Sequence, residues 1–234
     1  MVRDAGYDAK MIDLGPVLPV VIVAAIALIV AIFAYLAAEK RRKELAAFAF
    51  GMGLDFTASP SDVHFKYEYF TPFGSGHSRR SKNLIHGRRN QLGWELFDYR
   101  YTTGSGKNQQ THHYGIVAAQ VSLAFPVMRI RPEGFFDKIA AVVGFDDIDF
   151  ESDAFSRRFH VKCGDRKEAY DLIHPQMIEY LMAIRPYDWQ FSGPWILIHK
   201  SGRFSVVEMA AAMEAIEGFV ERVPEYVRED IGLG

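Results

Sequence analysis

The hydrophobic pattern divides the chain sharply near residue 40. From Leu14 to Ala38 there is no charged residue, and the run LGPVLPVVIVAAIALIVAIFAYLAA is apolar on every side. At 1.5 Å per residue these 25 residues exceed the ~30 Å hydrocarbon core of a bilayer, so they predict one transmembrane helix over 14–38. Pro16 and Pro19 stand at its beginning, where a missing amide donor costs little, and Phe33 and Tyr35 lie toward its other end, near an interface. A cleaved signal peptide has a shorter apolar stretch behind a basic segment, whereas here the basic cluster follows the run.

Beyond the span the texture becomes mixed and periodic. RRKELAAFAFGMG places Leu45, Phe48, Ala49 and Met52 at helical spacing before Gly51 and Gly53, predicting a helical stalk over 39–54. Val63, Phe65, Tyr67 and Tyr69 alternate and predict a strand within 55–72. TPFGSGHSRRSKN has the composition of a loop. Two aromatic and β-branched runs near 93–103 and 111–125 flank a polar, glycine-bearing connection and predict a β-hairpin. On its first arm Phe97, Tyr99 and Tyr101 share one face, and Trp94, Leu96, Asp98 and Arg100 share the other. Further strands are expected at 127–130 and 156–163, and a helix at 133–143 closed by Gly144. Two short helices follow, one opened by Asp165 with Glu168 and one by Pro175. A second hairpin is expected over 188–200, and Ser205 with Glu208 caps a long amphipathic helix.

The elements do not alternate as βαβ units and no repeat is present, so the expected class is α+β with antiparallel sheet and packed helices. The expected organisation is an extracytoplasmic N-terminus over 1–13, the span, the stalk, a cytoplasmic domain over 55–223 and a tail over 224–234. Orientation follows from charge. Lys40, Arg41, Arg42 and Lys43 follow the span in succession, whereas Arg3 and Lys10 before it are offset by Asp4, Asp8 and Asp13. Positive residues stay inside, so the large domain is expected in the cytoplasm at the plasma membrane, with the four-residue collar at the lipid surface.

Composition adds little chemistry. Net charge is −2, giving no general bias toward polyanions, and aromatics at 14% suit a packed fold. The single cysteine, Cys163, alternates with Phe159 and Val161 and is expected to be a buried small hydrophobe. GSGK at 104–107 lacks a phosphate loop's first glycine, because Tyr101 stands there, and Asn108 replaces the magnesium-binding hydroxyl. The segment is expected to be a solvated hairpin tip. His112 and His113 are adjacent on a strand and point to opposite faces. FDDIDFESD over 145–153 lacks the glycine and distal glutamate of an EF-hand loop and is expected to be a solvated edge. No nucleophile elbow, zinc-protease spacing or paired carboxylates stand out. No catalytic residue, cofactor, metal, nucleotide or nucleic-acid partner is expected.

What remains is a basic stretch. Arg79, Arg80, Lys82, Arg88 and Arg89 fall within eleven residues, and Lys107 sits at the hairpin tip. If they converge, they form a cationic surface for a partner or a lipid headgroup.

RRKELAAFAFGMGLDF, FGSGHSRRSKNLIHG, FDYRYTTGSGKNQQTHHY and RRFHVKCGDRKEAYDLIHPQMIEYL together resemble a family of bacterial, actinobacterial-type single-span membrane-anchored proteins of unknown function. The resemblance covers most of 40–230 and implies a single span with an α+β domain; it carries no activity and no catalytic residue. Accessory proteins of envelope lipid-export machinery in mycolate-bearing bacteria have a similar layout. The expected function is thus a non-enzymatic, membrane-tethered binding or scaffold module, an accessory subunit that meets lipid through 14–38 and other membrane-complex proteins through its domain. The alternatives are a membrane-proximal enzyme with a site assembled from distant residues, or a sensor of anionic headgroups.

Overall fold

A computed structural model describes residues 17–134 and 147–232. The N-terminal segment 1–13 and nearly all of the helix expected at 133–143 lie outside the described residues. Two compact units are present, Met1–Lys43 and Glu44–Gly234.

Helix α1 runs from Val17 to Met52. Its most apolar window is not buried against protein: Ile26 is 56% and Phe33 68% exposed. A core helix of a soluble protein would hide these side chains. Among the described residues, this is one helix long and apolar enough to cross a membrane. It ends in a Schellman motif. Gly53 takes φ +70°, its amide donates to Phe50 O at 3.1 Å, and Leu54 N donates to Ala49 O at 2.9 Å.

The second unit is α+β. Strands β1 (Asp55–Thr57), β2 (His77–Arg89), β3 (Leu92–Thr103), β4 (Gln110–Pro132) and β5 (Phe159–Cys163) pair antiparallel in that order, and β6 (Asp188–Ser201) pairs antiparallel with β4. Helices α2 (Asp153–Ser156), α3 (Arg166–Leu172), α4 (Pro175–Ala183), α5 (Val206–Glu221) and α6 (Glu225–Ile231) complete it.

The alternation on β3 fills two cores rather than one core and one wet face. Trp94 and Leu96 join Val117, Ala119 and Val121 of β4 beneath α5, whose buried residues include Met209, Met213, Ile216 and Phe219. Phe97, Tyr99 and Tyr101 point the other way and join Tyr114, Ile116 and Leu197. That second face is closed by a 3-10 turn over Val63–Tyr67, where the alternation had suggested a strand. Val63, His64, Tyr67 and Phe70 are buried while Phe65 and Tyr69 are exposed, so the operative spacing is near three rather than two. Tyr67 stacks on Phe97 at 5.8 Å, meets Trp195 edge-on at 5.1 Å and donates its hydroxyl to Glu95 at 2.7 Å. Burial, with Glu95 beside it, holds that phenol protonated well above its ordinary range.

Other expectations also change. The segment read as a loop is β2 from His77 onward. The hairpin expected over 188–200 is one strand, β6, whose ladder with β4 is interrupted between Gln120 and Met128 near Gly193, at φ +52°. The tail carries α6, with Val227 buried. Over 147–151 the acidic segment lies along β5, with Asp147, Asp149 and Glu151 exposed as expected of a solvated edge or loop, while the interleaved Ile148 and Phe150 are buried in the helix-covered core. Cys163 is buried, and burial pushes its thiol pKa up.

Candidate functional site

Two clusters of charged side chains are assembled from distant parts of the chain. The first is a buried clasp. Arg129 donates to both oxygens of Asp188, at 2.8 Å from Nε and 2.5 Å from Nη2, and His199 Nε2 lies 3.5 Å from the same carboxylate. All three side chains are under a tenth exposed. Asp188 and His199 belong to one strand, eleven residues apart, a separation of about 36 Å if that strand were straight. Their contact therefore requires β6 to bend sharply while it stays paired with β4, and the broken ladder near Gly193 is where it does so. A cleft of about 270 Å³ opens beside the clasp, lined by Arg185, Tyr187, Asp188, His199, Lys200 and Phe204. A larger one, about 420 Å³, is lined by Tyr69, Phe70, Val127, Met128, Gln190 and Phe191.

The second cluster is an open cationic recess of about 90 Å³. Strand register builds most of it. Arg80 faces Arg100 across the β2–β3 ladder, Lys82 faces Asp98, and Arg100 faces His113 across β3–β4. Paired residues share a sheet face, so these five side chains rise together from three strands. The sixth contributor, Arg203, arrives from beyond β6. Gly115 on β4 has no side chain, and a Cβ there would lie 2.6 Å from Phe204 Cδ2 and 2.7 Å from its amide nitrogen. The chain crosses the sheet through that gap, with Gly202 N donating to His113 O at 2.8 Å, and sets Arg203 beside Asp98 at 3.8 Å.

The recess carries excess positive charge. Asp98 is the carboxylate within it; it accepts a hydrogen bond from Asn83 at 2.8 Å besides its approach to Arg203. Among the described residues, the side chains of Arg80, Lys82 and Arg100 form no hydrogen bond or ion pair with the protein. His113 sits at the rim. Its desolvated side, then Arg203 and Arg100, lower its pKa, leaving it neutral at pH 7.

The six basic residues singled out from sequence do not converge. Arg80 and Lys82 enter the recess. Arg79 donates to the carbonyls of Gly74, Ser75 and Gly76 and holds that turn. Arg88 bonds to Gln91 O, and Arg89 pairs with Glu217 at 3.4 Å. Lys107 stays on the exposed hairpin tip. Arg100, His113 and Arg203 were not singled out as binding residues. A glycine inside a strand, Gly115, was the available signal for a close crossing. His112 turns away from the recess, as the alternation requires, and stacks on Tyr101 at 4.9 Å. In the first unit, Lys40, Arg42 and Lys43 are exposed, and Glu39 lies 3.7 Å from Arg42.

No protein-family model and no curated protein matches the sequence. The fold is shared with a solved structure, the mycobacterial trehalose monomycolate transport factor A, TtfA. The TM-score is 0.61 at 11% identity, over 78% of this chain and 94% of that one. The similarity is one of fold. The neighbour's mycobacterial source is in keeping with the actinobacterial character of the sequence resemblance.

Proposed function

We propose that this chain is a membrane-tethered, non-enzymatic binding module that serves as an accessory subunit of a cell-envelope transport assembly. The observation that carries the reading is the pairing of an exposed apolar helical stretch, long enough to cross a membrane, with a domain whose fold is shared with a transport factor. The Lys40–Lys43 collar supports an N-terminus outside and a domain in the cytoplasm, since cationic flanks stay inside. Tethering restricts the domain to the membrane and raises its effective concentration toward neighbouring subunits. The cationic face of β2 and the hairpin tip at Lys107 are the contact surfaces in this reading, toward an acidic partner surface.

The catalytic alternative centres on the 270 Å³ cleft where Asp188 and His199 meet. Arg129 already engages both oxygens of that carboxylate, which favours a structural role for the group.

The test is capture from detergent-solubilised native membranes after gentle crosslinking, with the full chain as bait. Recovery of a membrane-transport partner is expected, and recovery of the chain alone defeats the reading. Protease added to intact cells should spare the domain; its digestion would reverse the orientation.

A further inference from the structure

We propose that the recess formed by Arg80, Lys82, Arg100, His113 and Arg203 is a binding site for a phosphate group. The inference rests on the reading of this cationic face as a recognition surface and names the chemistry that it recognises.

The first argument is electrostatic. Arg80 and Arg100 are directly opposed on adjacent antiparallel strands, an arrangement that places like charges close together and works against folding. Glu95 lies on the opposite face of β3, where Lys66 and Tyr67 engage it, so it does not offset these charges. Asp98 is the carboxylate lining the recess, against the cations of Arg80, Lys82, Arg100 and Arg203. A dianion between them removes the repulsion and supplies the missing acceptors.

The second argument is chemical type. Three guanidinium groups and an ammonium present many donors, while the neutral His113 ring adds one N–H. Guanidinium donor forks match the oxygens of a phosphate. The third is size. About 90 Å³ admits one phosphate group but not a nucleoside or an acyl chain, so whatever else the ligand contains must lie outside. The fourth is construction. Arg203 reaches the recess because the chain crosses at the side-chain-free Gly115, bringing a fourth cation onto three strands that already carried an excess.

A phosphate group is available from a lipid headgroup or from a soluble phosphate, and two arms separate them. In one, the full chain in a neutral maltoside detergent is titrated calorimetrically with inorganic phosphate, against chloride at matched ionic strength. In the other, the full chain is held in phosphatidylcholine nanodiscs with or without phosphatidic acid, and exchange protection of the 80–82, 98–100 and 113 amides is compared. Saturable binding in either arm is expected, and the arm that responds names the source. Arg100→Gln and Arg203→Gln should each weaken it about tenfold, because each removes charge-assisted hydrogen bonds. Lys107→Gln, outside the recess, should leave it unchanged. An unaltered thermal midpoint in each variant confirms that the fold is intact.

The proposal is overturned if millimolar phosphate and anionic nanodiscs both fail to bind, or if both arginine variants bind as well as the parent. It is also overturned if phosphate does not bind while the two variants lose a captured protein partner, because the recess then recognises an acidic protein surface. Phosphate binding without any captured partner leaves this site standing and removes only the accessory-subunit reading.

Discussion

The clasp and the recess contain the same kinds of side chain and have opposite characters. Arg129, Asp188 and His199 are sealed from water, and the guanidinium meets the carboxylate fork to fork. Arg80, Lys82, Arg100 and Arg203 lie open, with Asp98 as the carboxylate among them. Buried charge survives only when it is matched within the protein, while exposed charge can be left unmatched at small cost. Balance therefore marks the cluster that holds the fold together, and imbalance marks the one that faces something else.

Asp188→Ala is the strongest way to break this contrast. It strands a buried guanidinium, and a loss of about 3–5 kcal/mol is expected in denaturant unfolding of the full chain in detergent. Replacing Arg129 and Asp188 together with Met and Leu should recover much of that loss; if it does not, the clasp holds more than charge balance.

Gly115→Ala comes next. Its methyl group would press on the Phe204 side chain and backbone at 2.6–2.7 Å. Overpacking of this kind costs about 1–3 kcal/mol. The midpoint should fall and Arg203 should move out of the recess; an unchanged midpoint would show that the crossing is loose.

Glu208 is a smaller case between the two. It completes the cap of α5 by accepting from Ser205 N at 2.9 Å, and it binds Lys200 at 2.7 Å. Lys200 and the Ser205 amide hold its carboxyl down at about 2. Because the folded value lies below the usual 4.5, its contribution is complete above that pH and fades as pH falls toward about 2. Glu208→Gln should cost about 1 kcal/mol at neutral pH and flatten the acid limb of the stability profile over that window. An acid limb identical in parent and variant would contradict the assignment.

Arg100→Gln should have the least effect on stability, within about 0.5 kcal/mol and in the stabilising direction, since it relieves the facing Arg80. A clear destabilisation would mean that the recess is satisfied internally after all.

The parts of this fold visible in the sequence are those specified by short-range patterns. The span, the β3–β4 hairpin, the Ser205–Glu208 capping box and the two faces of β3 each follow from a period or a cap within a dozen residues. Strand β2 escaped because its Gly, Ser, Arg and Lys content mimics a loop. It is half-wet, irregular between Lys82 and Ile85, and carries positive φ at Ser78 and Asn83. Strand β6 escaped because Ser192, Gly193 and Pro194 look like a hairpin turn, whereas the chain bends there and keeps pairing with β4. The recess was half visible: Arg80 and Lys82 stood out by density of charge. Arg203 did not, because its place is set by a crossing at Gly115, nearly ninety residues earlier.

The 23-residue strand β4 serves three neighbours in turn, and this has a consequence for synthesis. Its first half is zipped to β3 by a nearby turn as soon as both emerge from the ribosome. Its other rim must wait for β6, some seventy residues later, and until then offers bare amides and carbonyls to any passing strand. A nascent chain halted before residue 188 would carry that open rim permanently, so premature termination in this protein produces a sticky fragment rather than a smaller working domain.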